Sequence, residues 1–436
     1  MFLFRNYFIL LFISFLVIGI PSAYCDINWI TGQTIEQKAM PPENITGKVM
    51  FGATVAISDN YAIVGAKFDD NKSGSVFIFE KGEEKKWTMR HKFISEKPMK
   101  NAYMGVSVAI TDEFAFAGED SFDINEEKDD IGVVYVYYRQ PSTGIWVQIQ
   151  KLLPNPIEGT HRFGKSMSIF EDTLVIGAYG NTDESGKVFV FQRDGNQWIQ
   201  VQCLEPTEPI IKGRFGNAVN IFSDYIIVGA YIETGYLGAA YIFQKIDGIW
   251  QQITKLTSPD EQKYSYFGYS VDINNDFAVV GAYGTKMNEI NNTGAAYIFK
   301  RTDTGWEFFN KLFEIDLEKH DKFGVCLDLE DDILAVGSTK ISSEDSGTVY
   351  FYKLNGTEIT KIKELRASDP QIDGRFGQNI ALNKRHIIIG ANLTNDMGVI
   401  TGAVYFYEPA VRSPYGKDGV VSIDDVIHLF KRLIFK

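Results

Sequence analysis

One spacing constrains this sequence more than any other. A phenylalanine, or in one copy a methionine, is followed fourteen residues later by a glycine, and this occurs seven times. The copies begin 52 to 59 residues apart, at Phe51, Met104, Phe163, Phe215, Phe267, Phe323 and Phe376. The glycines are Gly65, Gly118, Gly177, Gly229, Gly281, Gly337 and Gly390. A repeat of this length is typical of a propeller or a solenoid, so we predict seven equivalent structural units.

Each repeat contains four predicted strands. In the fifth repeat, apolar residues alternate with small or polar ones from 267 to 273, the pattern of a half-buried strand. A two-residue turn at Asn275 and Asp276 leads into an apolar strand, 277 to 282, and a third strand follows a glycine. The fourth strand starts at Trp306 and ends at an apolar residue six positions later. Seven repeats of four strands predict an all-β fold, a seven-bladed β-propeller, which hides most sheet edges by radial repetition.

The seventh repeat lacks its fourth strand. It ends at Tyr405-Phe406-Tyr407, and no tryptophan strand follows. At the other end of the chain, Trp29 is followed six residues later by Ile35, which is the spacing of a fourth strand. We therefore predict that an N-terminal strand completes the last blade and closes the ring, with Trp29 and Ile35 at the usual tryptophan and apolar positions.

The Phe-Gly pair followed by Gly-Ala, as in Phe267-Gly268 and Gly281-Ala282, resembles the FG-GAP repeat of integrin α chains and of many bacterial surface proteins. The resemblance covers about residues 26 to 409 and implies a propeller that binds ligands at one face. Integrin-type blades often carry a calcium loop between their first two strands. Here a two-residue turn occupies that place, so those calcium sites are not expected.

The first 25 residues have the form of a secretory signal peptide. Arg5 precedes an apolar run, 8 to 20, and small residues lead to Cys25. A membrane anchor is the alternative, although the run is short for a span. We predict that the mature protein, from residue 26, is secreted or held at the cell surface without a membrane span. Only Cys203 and Cys326 then remain, in distant blades, so no disulfide is expected.

The tail, 410–436, differs from the repeats and resembles half of a dockerin, the calcium-loop module that binds cohesin domains. With Gly419 at the sharp turn of the loop, Asp418, Ser422 and Asp425 fall at ligand positions. Two carboxylates of such a loop are missing, so the resemblance implies weak calcium binding and a cohesin-like partner. The alternative is a short amphipathic C-terminal helix, 423 to 434, that packs on the propeller.

Loop lengths indicate which face binds ligands. The connection from the fourth strand to the next Phe-Gly is constant, whereas the interval from the Gly-Ala glycine to the third-strand glycine varies from 9 to 14 residues. Variable loops on a rigid scaffold are typical of binding proteins. On this face we predict ligand contacts by Tyr179, Tyr231, Tyr236 and Tyr283, because tyrosine offers a rigid ring and a polar tip. The alternative is that these rings cover blade edges.

Three arginines, Arg162, Arg214 and Arg375, directly precede Phe-Gly pairs. One hypothesis places them in a ring that binds an anionic ligand near the channel mouth. The other pairs them with acidic residues of adjacent blades, and this pairing is the prediction.

No catalytic constellation is recognisable. The five histidines lie in different repeats and in the tail, and no nucleophile elbow, zinc pair or phosphate loop occurs. A net charge of −13 argues against a nucleic-acid partner. We predict a secreted or cell-surface binding or adhesion module for protein or glycan rather than an enzyme. The alternative is a propeller-fold polysaccharide hydrolase or lyase, because 56 acidic residues allow folding to create a carboxylate pair.

Overall fold

The structure is a computed structural model. It describes residues 30, 32, 34–42, 47–82, 86–123, 130–157, 160–180, 185–208, 210, 212–288, 290–339, 346–396 and 398–409. The predicted signal peptide, Trp29, the 410–436 tail with Asp418, Ser422 and Asp425, and the predicted C-terminal helix lie outside these residues.

Within the described residues, 28 strands form seven four-stranded antiparallel sheets, which are the blades of a propeller. Blade 1 contains β2 (Phe51–Ile57), β3 (Tyr61–Ala66), β4 (Ser75–Lys81) and β5 (Trp87–Ile94). Blade 2 contains β6 (Val108–Ile110), β7 (Phe114–Glu119), β8 (Val133–Arg139) and β9 (Trp146–Leu152). Blade 3 contains β10 (Phe163–Phe170), β11 (Thr173–Ala178), β12 (Lys187–Asp194) and β13 (Gln197–Leu204). The predicted all-β fold is confirmed.

The remaining blades repeat this order. Blade 4 contains β14 (Ala218–Phe222), β15 (Tyr225–Ala230), β16 (Ala239–Ile246) and β17 (Ile249–Leu256). Blade 5 contains β18 (Ser270–Ile273), β19 (Phe277–Ala282), β20 (Ala295–Thr302) and β21 (Gly305–Leu312), and blade 6 contains β22 (Cys326–Glu330), β23 (Ile333–Ser338), β24 (Thr348–Leu354) and β25 (Ile359–Leu365). Blade 7 combines β26 (Phe376–Leu382), β27 (Ile387–Ala391) and β28 (Ala403–Pro409) with β1 (Thr34–Ala39). Two four-residue helical turns, α1 (Asp69–Lys72) and α2 (Glu233–Tyr236), follow β3 and β15.

The burial of each strand matches its sequence pattern. Every residue of β19 is buried, because the second strand lies between two neighbouring blades. In β17, at the outer edge of blade 4, exposed positions alternate with buried or half-buried ones. The continuous apolar runs are therefore the inner layers of the propeller, and the alternating strands that begin near tryptophan are its outer rim.

The Phe-Gly pair forms the junction between blades. In all seven junctions the N–H of the phenylalanine, or of Met104, donates to a loop carbonyl of the preceding blade at 2.6 to 3.2 Å. A Cβ on Gly229 would lie 2.0 Å from the carbonyl oxygen of Gly268 in the next blade, so this contact requires glycine. The Phe267 ring packs edge-on against Tyr297 and Phe299 of its own blade. The repeat is thus conserved in spacing within this chain because it builds the inter-blade contact.

Ring closure by the N-terminus is confirmed, but the predicted register is wrong. Strand β1 pairs with β28, and Ala39 lies opposite Val404, which is the position that Leu152 and its equivalents occupy in other blades. Ile35 lies opposite Glu408 instead and is 50% exposed. The strand is therefore shifted by four residues from the tryptophan-based alignment. The physical reason is that polar contacts of Gln37, rather than an aromatic anchor, fix this strand.

Gln37 joins the last blade to the first. Its side chain donates to the Trp87 carbonyl at 2.7 Å and accepts from the Trp87 N–H at 2.8 Å. Gln150 makes the same two hydrogen bonds with Trp198. The Trp87 indole stacks on Phe406 of β28 with ring centroids 4.9 Å apart. The closing contact is thus the ordinary inter-blade contact.

Two further observations concern the chain as a whole. Cys203 and Cys326 are both free, as expected from their positions in distant blades. Among the described residues, no helix has the length and apolar character needed to cross a membrane.

Candidate functional site

The loops between second and third strands share one face with the loops that lead into each Phe-Gly pair. The Arg162 N–H donates to the Asp130 carbonyl of the preceding blade at 2.8 Å. The Lys322 N–H donates in the same way to Asn292 at 3.1 Å. We call this side of the propeller the loop face. Connections on the opposite side between first and second strands are short, two to four residues.

The first strands of the seven blades line a central channel of about 460 Å³. Each begins after a residue whose φ lies between 55° and 63°, a left-handed conformation that non-glycine residues seldom adopt. These residues are Met50, Tyr103, Arg162, Arg214, Tyr266, Lys322 and Arg375. Because the chain makes the same turn in every blade, these side chains form a ring around the loop-face end of the channel, which we call the channel mouth.

Aromatic and cationic side chains alternate along part of this mouth. Lys165 lies over the Tyr179 ring at 5.9 Å, and Arg214 lies over Tyr179 at 5.2 Å and over Tyr231 at 5.6 Å. The Arg214 guanidinium also donates a hydrogen bond to the Tyr231 hydroxyl. A cation over a tyrosine face is stabilised by the ring quadrupole. The contacts link blades 3 and 4 directly.

The same arc continues into blades 5 and 6. Tyr231 contacts Tyr269 with centroids 5.3 Å apart, and Tyr269 contacts Tyr283 at 4.5 Å. Lys322 lies over the Tyr283 ring at 5.5 Å. Burial raises the pKa of Tyr179, Tyr269 and Tyr283 above the ordinary value, so these phenols stay protonated and can donate hydrogen bonds. We call this series, from Lys165 to Lys322, the mouth arc.

The structure brings the four predicted tyrosines into one network. Tyr179, Tyr231 and Tyr283 belong to the mouth arc, and Tyr266 stacks on Tyr283 at 4.9 Å. Tyr236 lies further out, 5.7 Å from Tyr266. It is 38% exposed, whereas Tyr231 is only 8% exposed. Tyr231 is thus largely buried within the network, and Tyr236 presents part of its ring to solvent.

Several residues of this surface were missed by the sequence analysis. Tyr264 is 50% exposed and contacts Tyr236 at 5.4 Å. Lys67 and Lys165 line the channel itself. The sequence did contain a signal for these residues. Tyr266 and Tyr269 flank Phe267-Gly268, and the same two positions hold arginine, lysine or asparagine in other repeats, so they form one equivalent set.

The predicted pairing of the three arginines holds for one of them. Arg162 forms an ion pair with Asp130, in the adjacent blade, at 2.9 Å. Among the described residues, Arg214 and Arg375 have no carboxylate partner. Glu184 and Asp345, which stand where Asp130 stands in its repeat, lie outside that part of the chain, so the pairing stays a prediction for both. The Nε of Arg375 is buried and lacks a hydrogen-bond partner among those residues.

Deeper in the channel lies a pair of carboxyl groups. Asp272 and Asp328 are hydrogen-bonded to each other and both line the channel. Asp272, 3% exposed, accepts from the N–H groups of Ile273 and Leu329 at 2.7 Å each. Asp328 accepts from the Leu382 N–H. Burial raises the pKa of Asp272 to about 7, and burial with the Asp272 charge raises the pKa of Asp328, so the pair binds a proton more tightly than two exposed carboxyl groups would.

The described residues contain no group of three or more histidine, cysteine or acidic side chains placed to hold a metal ion. The predicted weak calcium ligands Asp418, Ser422 and Asp425 fall in the tail, outside the described part of the chain.

Comparison with known proteins identifies a sequence family for this chain and solved structures with a similar fold. The FG-GAP repeat model matches residues 36–79, 146–191, 198–243, 250–299 and 359–407, more than half of the chain. No curated protein matches the sequence.

Solved propellers are similar in fold only. The WD40 domain of Neurospora crassa Pan2 is 11% identical with a TM-score of 0.51, over 88% of this chain and 98% of that domain. A Bacteroides uniformis protein assigned as a 6-phosphogluconolactonase is 10% identical with a TM-score of 0.52, over 76% of this chain and 88% of its own. At these identities the similarity concerns the propeller fold and no activity.

Proposed function

The chain belongs to the FG-GAP repeat family, and from that premise we propose that it is a binding or adhesion module, secreted or held at the cell surface. It recognises a protein or a glycan through the loop face. The 1–25 leader supports the location, and the dockerin-like tail supports attachment to a cohesin-like partner. Binding without turnover is the expected activity.

The observation that carries this proposal is the tyrosine network of blades 3 to 5. Tyr236 and Tyr264 offer exposed ring faces, and Tyr266 joins them to the mouth arc. Tyrosine contributes a large contact area with little loss of side-chain freedom, because only two torsion angles must be fixed. Rings held by each other are already close to their bound arrangement, which lowers the entropic cost of binding.

The test is ligand capture on protein and glycan arrays by the mature chain and by a double variant, Tyr236→Ala with Tyr264→Ala. We expect the variant to lose at least tenfold in affinity for the captured ligand, since it removes the two exposed rings of the network. Phe308→Ala is the matched control, because Phe308 is 47% exposed but lies on the outer strand β21. Equal loss in the control, or no loss in the double variant, would contradict a role for the loop face.

The alternative function is a propeller-fold hydrolase or lyase. The Asp272–Asp328 carboxyl pair is the observation that bears on it. Glycosidases keep their two carboxyls about 5 to 9.5 Å apart to admit substrate or water. Asp272 and Asp328 instead touch each other and accept backbone N–H groups, which favours a structural role. Turnover of a polysaccharide panel that disappears in Asp328→Asn, with thermal unfolding unchanged, would favour the enzyme over the binding module.

A further inference from the structure

The channel mouth concentrates positive charge in a chain whose net charge is −13. Five cations, Lys67, Lys165, Arg214, Lys322 and Arg375, occupy repeat positions beside Phe-Gly or after Gly-Ala in five different blades. Among the residues that the structure describes, none of the five forms an ion pair with a carboxylate. The contrast with Arg162, whose partner is Asp130 at 2.9 Å, shows that an acidic loop can reach this ring.

The mouth cations act on one another. Burial, and then the charge of Lys165, lower the pKa of Lys67 to about 8, against an opposing effect of Asp120. Burial and the charge of Arg375 lower the pKa of Lys322 as well. Like charges held together in a partly desolvated site destabilise the folded protein unless an anion compensates them.

A hydrogen-bond donor in the same place is also unsatisfied. The Nε–H of Arg375 is buried, and the described residues offer it no acceptor. Leaving a buried donor without a partner costs about 1 to 3 kcal/mol. A guanidinium matches the two oxygens of a carboxylate or sulfate, so an entering anion would satisfy both the charge and the donor.

We propose that the channel mouth binds the carboxylate or sulfate groups of an acidic glycan, a ligand class that rests on the binding role proposed above. Lys67, Lys165 and Arg375 hold the anionic group at the channel entrance. Arg214 and Lys322, fixed over tyrosine rings, extend the positive field along the mouth arc.

The tyrosines favour a glycan over an acidic peptide. The C–H face of a sugar ring packs flat on an aromatic ring, and Tyr236 and Tyr264 present such rings at the outer end of the network. An acidic sugar chain has charged groups and apolar ring faces in alternation. The surface offers both kinds of partner: cations at the mouth for the charged groups, and open tyrosine rings further out for the apolar sugar faces.

The experiment measures binding of hexagalacturonate, a sulfated chondroitin hexasaccharide, neutral maltohexaose and a hexaglutamate peptide to the full chain by calorimetry at pH 7 and low salt. We expect both acidic sugars to bind, and maltohexaose to bind at least tenfold more weakly. Hexagalacturonate offers carboxylates only and the chondroitin chain offers carboxylates and sulfates, so tighter binding of the chondroitin chain would show that sulfate is recognised as well.

The decisive variant is Lys67→Met with Arg375→Gln, which should weaken binding of the acidic sugars at least tenfold. Its control, Arg90→Gln with Lys353→Gln, removes the same charge from ion pairs outside the mouth and should change affinity less than twofold. Thermal unfolding establishes that both variants are folded.

Three outcomes would overturn the proposal: equal binding of maltohexaose, equal effects of the two double variants, or tighter binding of hexaglutamate than of the acidic sugars. If the acidic sugars fail but an array ligand is still lost in Tyr236→Ala with Tyr264→Ala, the anionic site is refuted and the binding module stands.

Discussion

Lysines at the outer rim and cations at the channel mouth use the same local geometry with one difference. Lys92, Lys151 and Lys255, in outer strands, lie over aromatic rings of the third strand at 5.4 to 5.5 Å. Each also has a carboxylate partner, Asp69, Glu96 or Glu233 respectively. At the mouth, Lys165, Arg214 and Lys322 also lie over tyrosine rings. Among the described residues, however, no carboxylate forms an ion pair with any of these three cations.

We interpret this difference as one between charge that stabilises the fold and charge that is available to a ligand. An outer lysine, its ring and its carboxylate form a closed unit, as where the Tyr241 hydroxyl donates to Glu233 at 2.6 Å and Lys255 binds the same carboxylate. At the mouth the ring and the cation are kept, no described carboxylate forms an ion pair with the cation, and Asp120 acts on Lys67 only as a nearby charge. A site built this way gives up stability in order to bind an external anion, as is common at functional sites. The following predictions test that contrast, in order of decreasing effect.

The largest effect is expected at the rim. Glu233→Ala should destabilise the protein by about 2 to 3 kcal/mol, because Glu233 is 5% exposed and its loss leaves both Tyr241 and Lys255 without their acceptor. Urea denaturation measures the change. The control Glu205→Ala breaks an exposed ion pair with Lys187 and should cost less than about 1 kcal/mol. Equal effects would show that the rim unit is not cooperative.

The carboxyl pair should make stability depend on pH. Because the folded pKa of Asp272 is raised from 3.8 to about 7, the folded state binds more protons than the unfolded state between these values, and stability falls as pH rises through this window. Asp272→Asn removes this dependence but turns its amide nitrogen toward one of the two N–H donors that the carboxylate accepts, so the variant should be less stable than the wild type at pH 4. Its deficit should be smaller at pH 8 by roughly 1 to 2 kcal/mol, because only the wild type loses stability over this range.

Denaturation midpoints at pH 4 and pH 8 measure this difference, with the exposed turn variant Asp224→Asn as control. A stability gap that is the same at both pH values would show that the pair does not hold a proton.

Anion affinity should fall as pH rises past 8, because Lys67 binds the ligand in its charged form and loses its proton there. Lys165, Arg375 and Lys48 lower the Lys67 pKa and Asp120 raises it. Calorimetry with hexagalacturonate should show a drop of about threefold or more from pH 7 to pH 9. Lys67→Arg should retain binding and lose this dependence, whereas an unchanged profile in that variant would assign the titration elsewhere.

The smallest effect is expected from removing one mouth cation. Lys165→Met should leave stability unchanged or raise it by about 0.5 kcal/mol, since it relieves repulsion and breaks no ion pair. The pKa of Lys67, followed by NMR of its labelled amine, should move up toward its ordinary value. A marked destabilisation would instead place Lys165 among the structural cations.

The sequence predicted the repeat-based parts of the molecule well. Seven blades, four strands in each and closure by the N-terminus all follow from spacings that recur. The register error arose from treating Trp29 as the anchor. The tripeptide Gln37-Lys38-Ala39 matches Gln150-Lys151-Leu152, and this match would have given the right alignment.

The candidate site was predicted only in part, for a physical reason. The four tyrosines were found one repeat at a time, but the mouth is formed by equivalent positions of several blades taken together. Lys67 and Tyr179 occupy the same position after Gly-Ala in their repeats, and only the closed ring makes them parts of one surface. The Asp272–Asp328 contact likewise joins two blades and has no counterpart in either repeat alone.

The pairing of β1 with β28 has a consequence for how the protein is made. The Tyr407 hydroxyl donates a hydrogen bond to the Glu36 carboxylate at 2.7 Å, and these two residues are 371 positions apart in the chain. Contacts between such distant segments form late in folding, since the intervening chain must first be arranged. During synthesis the first strand to emerge therefore waits for the last, and blade 7 stays open until nearly the whole propeller has been produced. A factor that engages the unpaired β1 segment would delay both the completion of blade 7 and its junction with Trp87 of blade 1.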